Sequence, residues 1–390
     1  MNKKTQLLII ITIALAPIII QNLLPLDNST FRAWEATTRA IILSDKPFYS
    51  NMNLQRIEEG DLGHHTQYAI KKNITWKTDK YGYRGETNTQ DQYDIIIIGD
   101  SNVVSPGVTQ EEMLHNLLEN KTGHSTYSLA PSTINTFIKT KRFVKNNPQI
   151  IILLASERTL DTLPKINESI SVEGYYPIKE YLLDRLDQGV KLNYIRKIFL
   201  EGERREFQKH LLISEDKGLI FFDVSLTKQR ANEEKINRTI KTMREYDGYL
   251  GEREIKLIFI PIPNRETVYY GKIPLEVSQN YPQSNFTAKI TQKLNEMNIT
   301  SIDLLPAFQN SEELTYHRDD THWNSEGIRI TAELIVSTMN LSEIKPRLQE
   351  NNTLLPDATK ELLMYEAIFL LFILAFALRI REKTKNHLSG

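Results

Sequence analysis

Five strand-like runs alternate with segments of helical period along this chain, and that alternation limits the folds open to it more than any other feature. The strand-like runs are Asp94–Ile98, Thr126–Leu129, Gln149–Ala155, Ile255–Pro261 and Ser301–Leu305; helical periods mark Glu111–Asn120, Ile134–Lys145, Ala288–Met297 and Ser325–Met339. Several runs are apolar at every position, so they present hydrophobic side chains on both faces. Strands of that kind belong to a parallel sheet covered by helices on both sides. The expectation is therefore an α/β fold in three layers, with a main domain over residues 91–345.

Two stretches break the pattern. Residues 28–90 are polar and punctuated by Gly60, Gly63, Gly82 and Gly85, and are expected to be an irregular lead-in. Residues 161–254 form a long, charged insertion rich in helix formers, with one strand-like run at Leu219–Val224. It suits a solvated helical excursion, or a lid or groove for a long substrate, because insertions after strand C-termini sit beside the active site of α/β folds.

The ends bear on location. After Lys3 and Lys4, the segment Leu7–Ile20 is apolar apart from Thr12 and extends through Leu26. Residues 1–27 are thus long enough for a signal anchor; Ala14-Leu15-Ala16 has the spacing of a cleavage site, but Pro17 just after it disfavours processing. At the other end an apolar run from Ala367 to Leu378 is followed by Arg379, Arg381, Lys383 and Lys385. This makes residues 360–381 a second candidate transmembrane helix, with an amphipathic surface tail as the alternative. Basic residues flank both segments on their terminal sides, so the expectation is a cell-membrane protein with two spans, both termini cytoplasmic, and a periplasmic domain between them.

Composition excludes more than it identifies. The 48 basic and 49 acidic residues leave a net charge of −1, without the positive field that nucleic acid binding demands. The absence of cysteine removes disulfides, thiolate zinc sites and thiol nucleophiles together. No phosphate-binding glycine loop or metal cluster stands out, so neither cofactor nor metal is expected.

Chemistry is suggested by two short segments far apart in the chain. The first strand ends in Gly99-Asp100-Ser101, with Pro106 and Gly107 before the next helix, so Ser101 projects from the C-terminal edge of the sheet. The second is Asp319-Asp320-Thr321-His322-Trp323-Asn324, in which an imidazole has a carboxylate two or three residues upstream and a helix start just downstream. A carboxylate that fixes the tautomer of a histidine, which in turn deprotonates a serine, makes a nucleophile. Ser101 as a simple loop cap is the plainer alternative. The pattern is not the G-x-S-x-G elbow of the α/β-hydrolases. His64, His65 and His317 lack such a setting and are taken as surface residues.

In that order along the chain, Gly99-Asp100-Ser101 and Asp319 to His322 resemble the SGNH (GDSL) hydrolase superfamily. Asp320-Thr321-His322-Trp323-Asn324, Glu157-Arg158-Thr159-Leu160 and the stretch Pro261–Tyr269 are similar to its alginate O-acetyltransferase group. Thr78–Gly85 also resembles bacterial relatives that modify surface polysaccharides. The likeness spans about residues 60–340 and implies an SGNH/flavodoxin-like sheet. There are departures. In the alginate acetylases the His block precedes the Ser block, whereas here it follows. The glycine and asparagine that complete the superfamily's oxyanion hole are replaced by Ser128-Leu129-Ala130-Pro131-Ser132 and Ala155-Ser156-Glu157-Arg158.

The resemblance implies a covalent acyl-enzyme on Ser101, with His322 as base. Asp320 is its expected orienter, by the Asp-x-His-Trp form; the general superfamily spacing would select Asp319. An N–H near Ser132 and the charge of Arg158 would serve the oxyanion, unless Glu157 and Arg158 form a structural ion pair. Arg265 and Tyr269 would contact a sugar acceptor, or simply pack their loop. The implied activity is O-acetyl transfer to a cell-surface or exported polysaccharide, with a membrane-bound O-acyltransferase as acetyl donor. An esterase or deacetylase that uses water is the alternative, and a non-catalytic scaffold of an export complex the third.

Overall fold

The structure, a computed structural model, describes residues 4–6, 31–39, 46–86, 92–143, 146–167, 183–184, 187, 209–228 and 232–339. Its strands are β1 (Asn53–Glu58), β2 (Lys72–Lys77), β3 (Ile95–Gly99), β4 (Thr126–Leu129), β5 (Ile150–Ser156), β6 (Leu211–Ile213), β7 (Ile220–Phe222) and β8 (Lys256–Ile262). A four-stranded parallel sheet in the order β4-β3-β5-β8 forms the centre. Every residue of β3 and β5 is buried, as strands apolar at each position require.

Side chains alternate between two cores. Ile95, Ile97, Ile152, Leu154, Ile258 and Ile260 pack on one face with the helices Leu114–Thr122 and Ser325–Thr338. Ile96, Ile98, Ile151, Leu153 and Phe259 pack on the other with the helices Ile134–Lys139, Glu233–Gly251 and Phe286–Glu296. The molecule is thus a three-layer α/β fold. Glu233–Gly251 belongs to a helical layer, because Ile236, Ile240, Met243 and Leu250 repeat at helical spacing and are buried against the sheet side.

Three differences from the sequence expectation stand out. The run Ser301–Leu305 contributes only one parallel bridge, Phe259 to Ser301. The helix Leu305–Gln309 then begins, with Pro306 in its first turn and the Asp303 carboxylate accepting the Leu305 N–H at 3.1 Å. The lead-in is not irregular throughout: β1 and β2 form an antiparallel hairpin, with Ile74 and Trp76 turned into the core.

The third correction concerns the membrane. Among the described residues no helix is long and apolar enough to cross a bilayer. The expected flanking transmembrane helices, and the two-span topology with its periplasmic domain that rested on them, are corrected to that extent: they find no counterpart among the described residues. The segments that suggested them, 1–27 and 360–381, lie outside the described residues except for a helical piece at 4–6.

Strand order sets the position of the site. β3 has β4 on one side and β5 on the other, so the connections leaving β3 and β5 diverge and open a crevice at the C-terminal edge of the sheet. Ser101 follows β3 there, and Glu157 and Arg158 follow β5.

Candidate active site

Ser101 begins a single helical turn, Ser101–Val104, held in place by its neighbours. Asp100 divides its carboxylate between two elements. Oδ1 accepts the Asn102 N–H at 2.9 Å, and Oδ2 accepts the Ser156 N–H at 3.0 Å and the Ser156 hydroxyl. The end of β3 is thereby tied to the end of β5. Gly99 is needed for the close approach, because a Cβ there would lie 2.8 Å from the Leu154 carbonyl and overlap Val103. Behind the turn, the buried Arg84 guanidinium donates to the carbonyls of Val104 at 2.8 Å, Ser105 at 2.6 Å and Val108 at 2.6 Å, and stacks 4.2 Å over the Trp76 ring. The Tyr-Gly-Tyr-Arg-Gly motif is thus a clamp on the segment after Ser101. Burial pulls the Arg84 guanidinium down to about 10.

The histidine arrives on a loop closed by an antiparallel bridge between Tyr316 and Trp323. Trp323 is fully buried and its indole N–H donates to the Asn102 carbonyl at 2.7 Å, a direct link between the two segments. His322 Nε2 lies 2.8 Å from Ser101 Oγ, and His322 Nδ1 lies 2.6 Å from Asp320 Oδ1. Asp320 Oδ1 also accepts the backbone N–H of His322 at 3.0 Å. With Nδ1–H donating to the carboxylate, Nε2 is left as acceptor for the serine hydroxyl, which is the tautomer a general base requires. Asn324 then caps the helix Ser325–Thr338 by accepting the Gly327 N–H at 3.1 Å.

Asp319 does something else. Its Oδ2 accepts the N–H groups of Gly60 at 2.9 Å and Ile70 at 2.8 Å, its Oδ1 pairs with Lys72 at 2.8 Å, and its carbonyl accepts the N–H groups of Leu62 and Gly63. It fastens the histidine loop to the β1–β2 connection. A Cβ on Gly60 would run into the Asp319 carbonyl, and one on Gly63 would lie 2.7 Å from the Asp319 Cβ.

Opposing charges meet around Asp320. Burial would raise its carboxyl, but the adjacent His322, with Arg32 and Lys72, holds it well below the usual carboxylate range. Asp61 is raised instead, by burial and then by the charge of Asp320. Asp61, Asp320 and His322 form a donor set that could surround a cation among the described residues. Both nitrogens of His322 are already engaged, however, by Asp320 and Ser101, so the group suits a hydrogen-bonded relay better than a metal centre.

The other four expected residues are distributed differently. The Ser132 N–H donates to the Gly99 carbonyl at 2.8 Å and its hydroxyl to the Leu129 carbonyl, so Ser132 tightens the β3 and β4 ends and is no oxyanion donor. Arg265 is buried, and its two terminal nitrogens donate to the carbonyls of Asp320 and Arg318 at 2.7 Å each. It holds the histidine loop from beneath and does not face an acceptor. Tyr269 is half-buried, its hydroxyl accepting the Thr315 N–H at 2.7 Å. Arg158 is half-buried at the edge beyond β5 and has no hydrogen bond or ion pair among the described residues. Glu157 is not its partner, since its carboxylate accepts the Asn264 N–H at 2.8 Å and the Thr267 hydroxyl at 2.7 Å.

Sequence reasoning missed Asp61 and Arg32. Asp61 sits between Gly60 and Leu62 in the β1–β2 connection and bonds Thr321 through both carboxylate oxygens, at 2.7 and 2.6 Å. The one sequence signal was a lone acidic residue in a Gly-x-x-Gly tetrapeptide, too common to single out.

The family model for the SGNH hydrolase-like domain of the acetyltransferase AlgX matches residues 213–361. The matched segment includes Arg265, Asp320 and His322, and Ser101 lies outside it. No curated protein matches the chain. Among solved structures, a candidate acylhydrolase from Bacteroides fragilis is 11% identical, covering 67% of this chain and 91% of its own, at a TM-score of 0.32. A GDSL-like lipase from Bacteroides thetaiotaomicron is 12% identical over 64% of this chain and 87% of its own, at 0.30. A candidate lipolytic protein of the G-D-S-L family from Desulfitobacterium hafniense is 11% identical over 63% and 98%, at 0.29.

Proposed function

We propose that this chain, which carries an SGNH hydrolase-like domain of the AlgX acetyltransferase type, transfers an acetyl group to hydroxyls of a cell-surface or exported polysaccharide through an ester on Ser101. One observation carries the reading: Ser101 Oγ, His322 and Asp320 lie in hydrogen-bonded series, at 2.8 and 2.6 Å. Nucleophile, base and orienter are then in contact before any substrate arrives.

In the first half-reaction Ser101 Oγ attacks the donor's acetyl carbonyl while His322 Nε2 takes the hydroxyl proton. Collapse of the tetrahedral intermediate breaks the bond to the donor's leaving group, which receives that proton. In the second half-reaction a sugar hydroxyl attacks the serine ester, losing its proton to the same nitrogen, and Ser101 is regenerated. The oxyanion would be held by the N–H of Ser101, at a first helical position without an intrahelical acceptor, and by Arg158. The donor is proposed to be a membrane-bound O-acyltransferase.

Incubating the purified protein with an acetyl ester, with and without oligosaccharides, tests the reading. Acetylated oligosaccharide supports transfer; free acetate as the sole product in both arms assigns the chain to hydrolysis instead.

A further inference from the structure

The geometry points to Asp61 as a positioning residue for the proposed acyl transfer: a second carboxylate, brought by the β1–β2 connection, that steadies the His322 imidazolium alongside Asp320. The inference rests on the function proposed above and adds a residue from outside the two segments that define it.

Asp61 Oδ2 lies 3.8 Å from His322 Nδ1, too far for a hydrogen bond and close enough for charge to act. The carboxylate is fixed in that position. Thr321, the residue between Asp320 and His322, donates its N–H to Oδ1 at 2.7 Å and its hydroxyl to Oδ2 at 2.6 Å. The Asp61 N–H in turn donates to Asp320 Oδ2 at 3.0 Å, the oxygen that His322 does not use. Asp61 therefore acts on the relay twice, orienting the Asp320 carboxylate through its backbone and facing the imidazole with its side chain.

Arg32 moderates the pair. Its guanidinium lies 3.8 Å from Asp61 Oδ2 and 3.7 Å from Asp320 Oδ2, and is bonded to Glu35 at 2.6 Å. Two carboxylates this close would repel each other without a cation between them. The titratable and charged groups around His322 are then Asp320, Asp319 and His317 on its own loop, Asp61 and Lys72 from the hairpin, Arg265 from the short helix Arg265–Val268 after β8, and Arg32 and Glu35 from the N-terminal helical turn Ala33–Thr37 and its cap. No bond forms or breaks at Asp61 in either half-reaction. Its contribution is to favour the protonated imidazole that each half-reaction passes through.

Opposite charges at Asp61 and Arg32 give the test its signature. The full chain is assayed on a chromogenic acetyl ester across pH, with Ser101→Ala as control. In Asp61→Asn the Thr321 N–H keeps an acceptor and the Thr321 hydroxyl can rotate to accept from the new amide, so the loop is kept and the charge is lost. The expected result is a fall of about ten-fold in kcat with KM unchanged, and an ascending limb displaced by about one unit to lower pH, because the imidazolium has lost a stabilising charge. Arg32→Gln should displace the limb to higher pH. A purely structural role would lower activity without moving the limb in opposite directions. Unmoved limbs in a protein that turns over the ester and loses activity in Ser101→Ala overturn the role of Asp61 alone; no Ser101-dependent turnover overturns the proposed function and this inference together. Should Asp61→Asn fail to fold, the displacement in Arg32→Gln decides.

Discussion

Asp319 and Asp320 are neighbours in sequence with separate tasks, and the difference is one of direction. Asp320 turns its carboxylate inward to His322, while Asp319 turns outward to Gly60, Ile70 and Lys72. If the relay is the catalytic device, Asp320→Asn leaves the histidine with the wrong tautomer, and turnover of an acetyl ester should fall at least about a thousand-fold with folding intact. Asp319→Asn should behave the other way, costing about 2–4 kcal/mol of stability in a urea titration, because Lys72 and two N–H donors lose their charged acceptor. Comparable kinetic losses in both would contradict the division. The serine, the histidine and a carboxylate two or three residues before it were legible in the sequence, whereas the choice of Asp320 over Asp319 rested on the resemblance of Asp320–Asn324 to the acetylase form. Asp61 and Arg32 were not legible there, and Arg265 was singled out for a different task, because their bonds to the histidine loop join residues brought together only by the finished fold.

At the scale of elements, the β1–β2 hairpin is the part the sequence hid. β1 lies at the surface with Asn53, Gln55 and Arg56 among its residues, and the apolar beat survives mainly as Ile74 and Trp76 in β2. The fully buried strands were easy to recognise because every position is constrained, whereas a half-exposed hairpin constrains only alternate ones. Its connection nevertheless reaches the site, and the glycines at its start allow the approach. Gly60→Ala would drive a Cβ into backbone, which cannot swing aside as a flexible side chain can. We expect a loss of about 3 kcal/mol or more, by thermal or urea unfolding, together with impaired ester turnover because the loop bearing Asp320 must shift. Gly85, where an added Cβ meets nothing within 4 Å, is the control and should tolerate alanine. A stable, active Gly60→Ala protein would mean that the hairpin does not brace the site.

For the whole molecule the buried ionisable groups set how stability varies with pH, and they pull in two directions. Burial raises the carboxyls of Glu58, Asp79, Glu157 and Glu266, so the stability they contribute is present at low pH and is lost as pH rises through their folded values. His115 and His317, the latter half-buried where a surface position was expected, do the reverse. Burial, with Arg84 beside His115 and Lys72 beside His317, lowers them to about 3 and about 4. Between those values and about 6.5, the unfolded chain binds protons that the folded chain refuses, so stability falls as pH drops. From pH 7.5 to 5 each histidine passes through about 1.5 units of that window, worth about 2 kcal/mol apiece. The direct test is the difference between proteins, in which the carboxyl contribution cancels. Urea unfolding at the two pH values should show the parent losing about 2 kcal/mol more than His317→Gln or His115→Gln, and about 4 kcal/mol more than the double variant. The two sites are carried by different elements, the β2-facing histidine loop and the helix Leu114–Thr122, so their effects should add. Parallel pH dependences in parent and variants would show that these histidines take up protons in the folded chain after all.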